Sequence, residues 1–217
     1  MSALNPESKI LQLTSFAHYE DASRHAIALP WNAGGELVPI GPWIFTRPEI
    51  VRAMTKWRAD SRTMFFAQFP ESVQSMNEFL STTKVRTGKS VLFLIEGEQH
   101  ELLGHVGLKS ICSGAAEIDL VMRNSNVQKP RLMRVALNEL IRWSSRVLHI
   151  RRLSLSVVSY NTRAIELYSF LGFKCVAEIP LLRVNQNGIV SHHPTSPDTA
   201  NVDYQCIVME RHLESSP

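Results

Sequence analysis

From Ser90 to Met209 the chain alternates between two rhythms. "SVLFLIEG" (90–97) and "ELLGHVGLKSI" (101–111) are apolar runs, and the polar "EGEQH" between them suits a hairpin. In "AAEIDLVMR" (115–123), Glu117, Asp119 and Val121 alternate with Ile118, Leu120 and Met122, the period of a half-buried strand. Three consecutive antiparallel strands are the simplest account. A helical period follows, with Leu132, Ala136, Leu140, Ser144 and Val147 near one stripe that Val135 and Trp143 widen. "RRLSLSVVS" (151–159) resumes the strand period, and "NTRAIELYSFLGF" (161–173) forms a short helical pattern that stops at a glycine. Strand, helix, strand, helix in that order implies a parallel crossover, because a tight turn cannot join parallel neighbours. "KCVAEIPLLRV" and "ANVDYQCIVME" are two more strands, connected by a long segment containing Asn187–Gly188 and "SHHPTSP", in which His192 and His193 fall in a loop. The pattern predicts an α/β fold with a mixed sheet.

Before Ser90 the pattern is weaker. "TRPEIVRAMTKWRAD" (46–60) places Ile50, Met54 and Trp57 at helical intervals behind Pro48. "ESVQSMNEFLSTT" (71–83) does the same with Val73, Met76, Phe79 and Leu80 after Pro70. Residues 1–46 show neither period, and "LPWNAGGELVPIGPW" mixes Pro, Gly and aromatics, so this stretch is expected to be irregular chain packed on one domain spanning 1–217.

Composition narrows the function classes. The chain is 44% hydrophobic and 20% charged, as expected of a folded soluble domain. Its 23 basic and 20 acidic residues are spread without a basic block, which argues against a nucleic-acid partner. No segment approaches the ~20 apolar residues of a membrane helix, and no leader-like N-terminus is present, so the expected location is the cytoplasm. Cys112, Cys175 and Cys206 are odd in number and lack CxxC spacing, so they are expected to be buried thiols without a disulfide or zinc role. No G-x-S-x-G elbow or dinucleotide fingerprint occurs, and "RTGKSV" lacks the first glycine of a phosphate loop. His192 and His193 have no ligand-spaced carboxylate or cysteine, and no metal is expected.

Asn161 is a good helix N-cap and Gly172 a natural left-handed stop, while Ala164, Tyr168 and Leu171 share a face. A strand followed by N-x-x-A-x-x-x-Y-x-x-x-G-F, one crossover after a strand ending "LVMR", resembles the GNAT superfamily of acyl-CoA N-acyltransferases. The likeness covers Ser90 to Met209. "WRADSRTMFF" followed by "GHVGL" is similar to the branch containing ribosomal-protein and nucleotide-amino-sugar N-acetyltransferases. The resemblance implies a mostly antiparallel sheet with one splayed parallel pair, flanked by helices, and acetyl-CoA as co-substrate. It also implies backbone pairing of Leu120, Val121 and Met122 with the pantetheine arm, Asn161 and Ala164 on its other side, and Tyr168 as proton donor to the departing thiolate. Seven residues are about two helical turns, so Asn161 and Tyr168 face one cleft about 10 Å apart.

One stretch departs from the family. Its pyrophosphate loop has the form Q/R-x-x-G-x-G/A, and here it is "QKPRLM": Gln128 fits, but Arg131 and Met133 stand at the glycine positions. One reading keeps binding, with Pro130 setting the first helical turn, the amides of Arg131, Leu132, Met133 and Arg134 still presented, and Lys129, Arg131 and Arg134 adding positive charge. The other keeps the fold alone, as a non-catalytic binding module.

Acetyl transfer requires a neutral amine, so a base must face the acetyl group; Glu117, Asp119 and His105 are the candidates. The expected acceptor is a small-molecule amine, with a nucleotide-linked amino sugar first and a protein N-terminus as the alternative. Arg58, Arg62 and Arg183 are candidates for acceptor phosphates. The resemblance is also compatible with a homodimer through the late strands.

Overall fold

Leu132, Ala136, Leu140 and Ser144 are buried along one stripe, and they place the longest helix against the middle of a sheet. In the computed structural model, which describes residues 5–30, 34–69, 71–81 and 88–214, this helix is α5 (Leu132–Leu148). It crosses between two strands, β6 (Ala115–Arg123) and β7 (Arg152–Val158), that run parallel. The preceding strands β4 (Val91–Glu96) and β5 (Leu102–Cys112) pair antiparallel with each other, and β5 with β6, as the alternation predicts. After β7 come α6 (Thr162–Phe170), β8 (Lys174–Gln186), β9 (Ile189–Pro194) and β10 (Gln205–His212).

The N-terminal part holds more regular structure than its pattern predicts. Among the described residues it contains α1 (Pro6–Leu13), α2 (Tyr19–Ser23), β1 (Ile27–Ala28), β2 (Glu36–Pro39) and a 3-10 turn over Pro42–Thr46. These elements are too short to show a period. Their order comes from tertiary contacts, such as the Tyr19 hydroxyl donating to the buried Glu96 carboxylate at 2.5 Å and the Trp43 indole donating to the Pro39 carbonyl. α3 (Pro48–Asp60), β3 (Ala67–Gln68) and α4 (Val73–Phe79) follow. Pro70, Trp31 to Ala33, Thr82, Thr83 and the Arg86–Thr87 start of "RTGKSV" lie outside the described residues.

The sheet order is β1-β2-β4-β5-β6-β7-β10-β8-β9-β3, antiparallel at every junction except β6–β7. Strand alternation divides the core. Val91, Phe93 and Ile95 pack with α5 and α6, while Leu92 and Leu94 pack with α3 and α4.

Three expectations are corrected. His192 and His193 lie in strand β9, because Asn187 and Gly188, both at positive φ, turn β8 back on itself as a hairpin. Cys112 and Cys175 are exposed, since both fall near strand ends; Cys206 is buried as expected. Val121 does not stay with Glu117 and Asp119: Leu120 turns left-handed at φ +52°, so Leu120 packs on the α3–α4 side and Val121 on the α5 side.

Candidate active site

The parallel pair opens almost as soon as it forms. β6 and β7 are paired only at Ala115–Arg152, Ala116–Leu153 and Glu117–Ser154. Beyond Glu117 no β6–β7 pairing occurs among the described residues, so from Ile118 to Arg123 the β7-facing edge of β6 borders the gap where the two strands part.

The divergence coincides with a bulge. Opposite Val106 of β5, strand β6 carries two residues, Leu120 and Val121, between the Gly107–Asp119 and His105–Met122 pairs. Gly104 lets the strands approach here, since a methyl group at that position would stand 2.2 Å from the Met122 carbonyl oxygen. His105 is 4% exposed, faces Trp57 of α3, and donates from Nδ1 to the Leu120 carbonyl at 2.7 Å. A carbonyl only accepts, so this nitrogen carries the proton.

Glu117 and Asp119 share one face of β6, as predicted, and a residue the sequence reading passed over joins them. The Lys109 ammonium is 2.9 Å from Glu117 Oε1 and 3.7 Å from Asp119 Oδ2. Lys109 lies directly opposite Glu117 and four residues from His105 on β5, so strand parity already placed it on this face. Burial works against its charge, but Asp119 and Glu117 outweigh burial and raise its pKa.

Tyr168 on α6 comes close enough to feel Asp119. Burial first, and the Asp119 charge second, hold its phenol protonated well above the ordinary range. The ring is 7% exposed and packs edge-on against Phe173. Among the described residues its hydroxyl has no hydrogen-bond partner. Asn161 caps α6, its Oδ1 accepting from the Ala164 amide at 3.3 Å. Gly172 at φ +84° ends the helix, with Phe173 N–H donating to the Tyr168 carbonyl and Gly172 N–H to that of Ser169.

The loop before α5 departs from expectation. Pro130 does not open the helix; Arg131 is the N-cap and helix begins at Leu132. Arg131 stands at φ +64°, ψ 3°, a left-handed conformation that glycine adopts without cost. The loop therefore has a glycine-like backbone bearing an arginine side chain, which is exposed like that of Gln128. Of the other two cations, Lys129 is paired with Glu101 at 3.2 Å and the Arg134 guanidinium lies 3.2 Å over the Phe170 ring of α6. Among the described residues the Met133 and Arg134 amides donate to no backbone carbonyl, so two N–H groups remain at the positive end of the helix dipole.

The remaining candidates lie apart from the gap or are engaged. Arg58 sits between the Phe65 and Phe69 rings and donates to the Ala67 carbonyl at 2.9 Å. Its Nε and Oε1 of Glu71 are enclosed without a hydrogen-bond partner among the described residues. Arg183 is exposed on β8, and Arg62 is half-buried at the foot of α3. His192 is buried, bonded to the Phe66 carbonyl at 2.9 Å and the Tyr204 hydroxyl at 2.7 Å. No group of three or more His, Cys, Asp or Glu among the described residues is placed to hold a metal ion. None of their helices is long and apolar enough to cross a membrane. A depression of about 890 Å³ lies at the opposite end of the sheet, between the β5–β6 turn and the end of α5, and includes none of the residues around the gap.

Residues 45–174 match the family model of the GNAT acetyltransferase domain, more than half of the chain. The chain belongs to the GNAT acetyltransferase family. Like other GNAT acetyltransferases it is an acetyl-CoA-dependent N-acetyltransferase. Among solved structures, one similar fold is RimL, the ribosomal L7/L12 alpha-N-protein acetyltransferase, in complex with coenzyme A: 15% identity, 88% of this chain and 99% of that chain covered, TM-score 0.66. Another is the spermidine N-acetyltransferase of Vibrio cholerae in complex with CoA and spermine, at 18% identity, covering 76% and 90%, TM-score 0.59. A comparison with curated protein sequences found no match.

Proposed function

We propose that this GNAT enzyme transfers an acetyl group directly to a primary amine in the gap between β6 and β7. The observation that carries the proposal is the limit of that parallel pairing to three residue pairs, which leaves a free backbone edge beside Tyr168 and Asp119. The residues present fit acetyl-CoA: the free edge suits the amides of its pantetheine arm, and the unspent Met133 and Arg134 amides suit its phosphates. Bound there, acetyl-CoA supplies an acyl group already activated as a thioester.

The side chains divide the proton work. Asp119 or Glu117 takes the proton from the incoming ammonium, directly or through a water. The Tyr168 phenol gives its proton to the departing sulfur. The two events reinforce each other, because the Asp119 charge raises the Tyr168 pKa and a proton on Asp119 removes that effect, making the phenol a better acid when it must donate. Lys109 stays an ammonium between the carboxylates, which fixes them and keeps its own nitrogen from serving as acceptor.

The acceptor placed first is a small-molecule primary amine, with a nucleotide-linked amino sugar as one member of that class. Engagement of Arg58 by Phe65, Phe69 and Ala67 removes one expected phosphate contact from this reading. A protein N-terminus is the second reading, favoured by the 88% of the chain that overlays on RimL. Labelled acetyl-CoA with spermidine, a nucleotide-linked amino sugar and a peptide with a free N-terminus separates them. Transfer to a small amine alone supports the first, transfer to the peptide alone the second, and transfer to none overturns both.

A further inference from the structure

We propose that His105 is a positioning residue that holds the gap open, and that it does not act as the base. The proposal rests on the reading of the gap as the acetyl-CoA site. Three features meet at His105. Its Nδ1–H is bonded to the Leu120 carbonyl at 2.7 Å, which leaves Nε2 as the ring's basic nitrogen, on a ring that is 4% exposed and faces Trp57. Its acceptor belongs to the one β6 residue in left-handed conformation, Leu120 at φ +52°. The bulge at Leu120–Val121 shifts the β5–β6 register just past the point where β6 and β7 separate.

A γ-branched residue does not enter the left-handed region freely, because its Cβ crowds the following carbonyl oxygen. A hydrogen bond from a buried donor offsets that crowding, and without it the half-buried Leu120 carbonyl would lose this partner. His105 thus offsets the cost of the bulge. The bulge in turn decides which backbone groups of Leu120, Val121 and Met122 face the gap. Gly104 and Gly107 flank His105 and let β5 approach closely on both sides: a methyl group on Gly107 would stand 3.0 Å from the Val91 carbonyl oxygen. Trp57 limits the ring from the α3 side.

Two substitutions separate this role from that of a base. His105→Asn keeps an N–H near the Nδ1 position and removes any basic nitrogen, whereas His105→Phe keeps a ring against Trp57 and removes the donor. Calorimetry with CoA and the pH dependence of kcat/KM are measured for each. The expected result is a CoA Kd for His105→Asn within about threefold of the unsubstituted enzyme, with the same acid limb in the pH profile. For His105→Phe the Kd rises about tenfold, the loss of one such hydrogen bond. Adding Leu120→Gly, which enters the left-handed region freely, brings His105→Phe back to within about threefold. Unchanged CoA affinity in His105→Phe overturns the proposal, as does loss of the acid limb in His105→Asn at unchanged Kd. Should His105→Phe fail to fold, the asparagine variant and the glycine double variant still decide. Failure of the unsubstituted enzyme to bind CoA is a separate outcome, which removes the acetyl-CoA reading on which the proposal rests.

Discussion

Arg131 shows how one residue keeps a backbone shape at an energetic cost. Its left-handed conformation costs roughly 1–2 kcal/mol in an L-residue, and glycine would give back about 0.5–1 kcal/mol of this through its freer unfolded chain. Arg131→Gly is therefore expected to stabilise the fold by about 0.5–1 kcal/mol in urea unfolding; a loss of stability would show that the arginine side chain makes up the difference. Tyr168 carries a pH signature. Its pKa in the folded protein is raised by burial and then by Asp119, above the ordinary phenol value of about 10. The stability it contributes is complete below about pH 10 and is lost as pH climbs from there toward the folded value. Tyr168→Phe is expected to unfold with a shallower alkaline decline above pH 10 than the parent enzyme, the raised Tyr19 phenol being common to both. The same variant is expected to lose about 100-fold or more in kcat, and full turnover at every pH would remove the role of proton donor.

At the scale of elements, what was legible followed from period and caps. α5, β7 and α6 each carry a repeat long enough to show which face is buried, β4 and β5 are apolar runs long enough to mark strands, and Asn161 and Gly172 mark the ends of α6 as their chemistry predicts. Removing the cap by Asn161→Ala should cost about 1 kcal/mol of stability, measured by chemical unfolding; an unchanged midpoint would mean the Ala164 amide finds another acceptor. The site was less legible because its shape depends on two non-glycine residues, Leu120 and Arg131, in left-handed conformations. A strict alternation through β6 assigned Val121 to the wrong face, and nothing local announces the bulge. It depends on contacts with β5: the His105 hydrogen bond and the close approach at Gly104. The resting partners of the loop cations were not legible for a similar reason. Lys129 and Arg134 find partners in Glu101 and Phe170, which are distant in sequence.

At the scale of the molecule, β3 pairs with β9, and His192 and Tyr160 donate to the Phe66 and Thr63 carbonyls, so the segment after α3 is tied to the far end of the sheet. Tyr204→Phe removes the hydroxyl on which His192 Nε2 rests, and its expected cost is about 1 kcal/mol in chemical unfolding. A change below about 0.3 kcal/mol would show that the tie rests on packing. The whole arrangement serves one claim, that the short parallel pairing of β6 and β7 leaves a gap for the coenzyme arm despite the missing loop glycines. Calorimetric titration with coenzyme A tests it most directly. Saturable one-to-one binding is expected, with a Kd on the order of micromolar, about −8 kcal/mol; the absence of any heat of binding at millimolar coenzyme would overturn the claim.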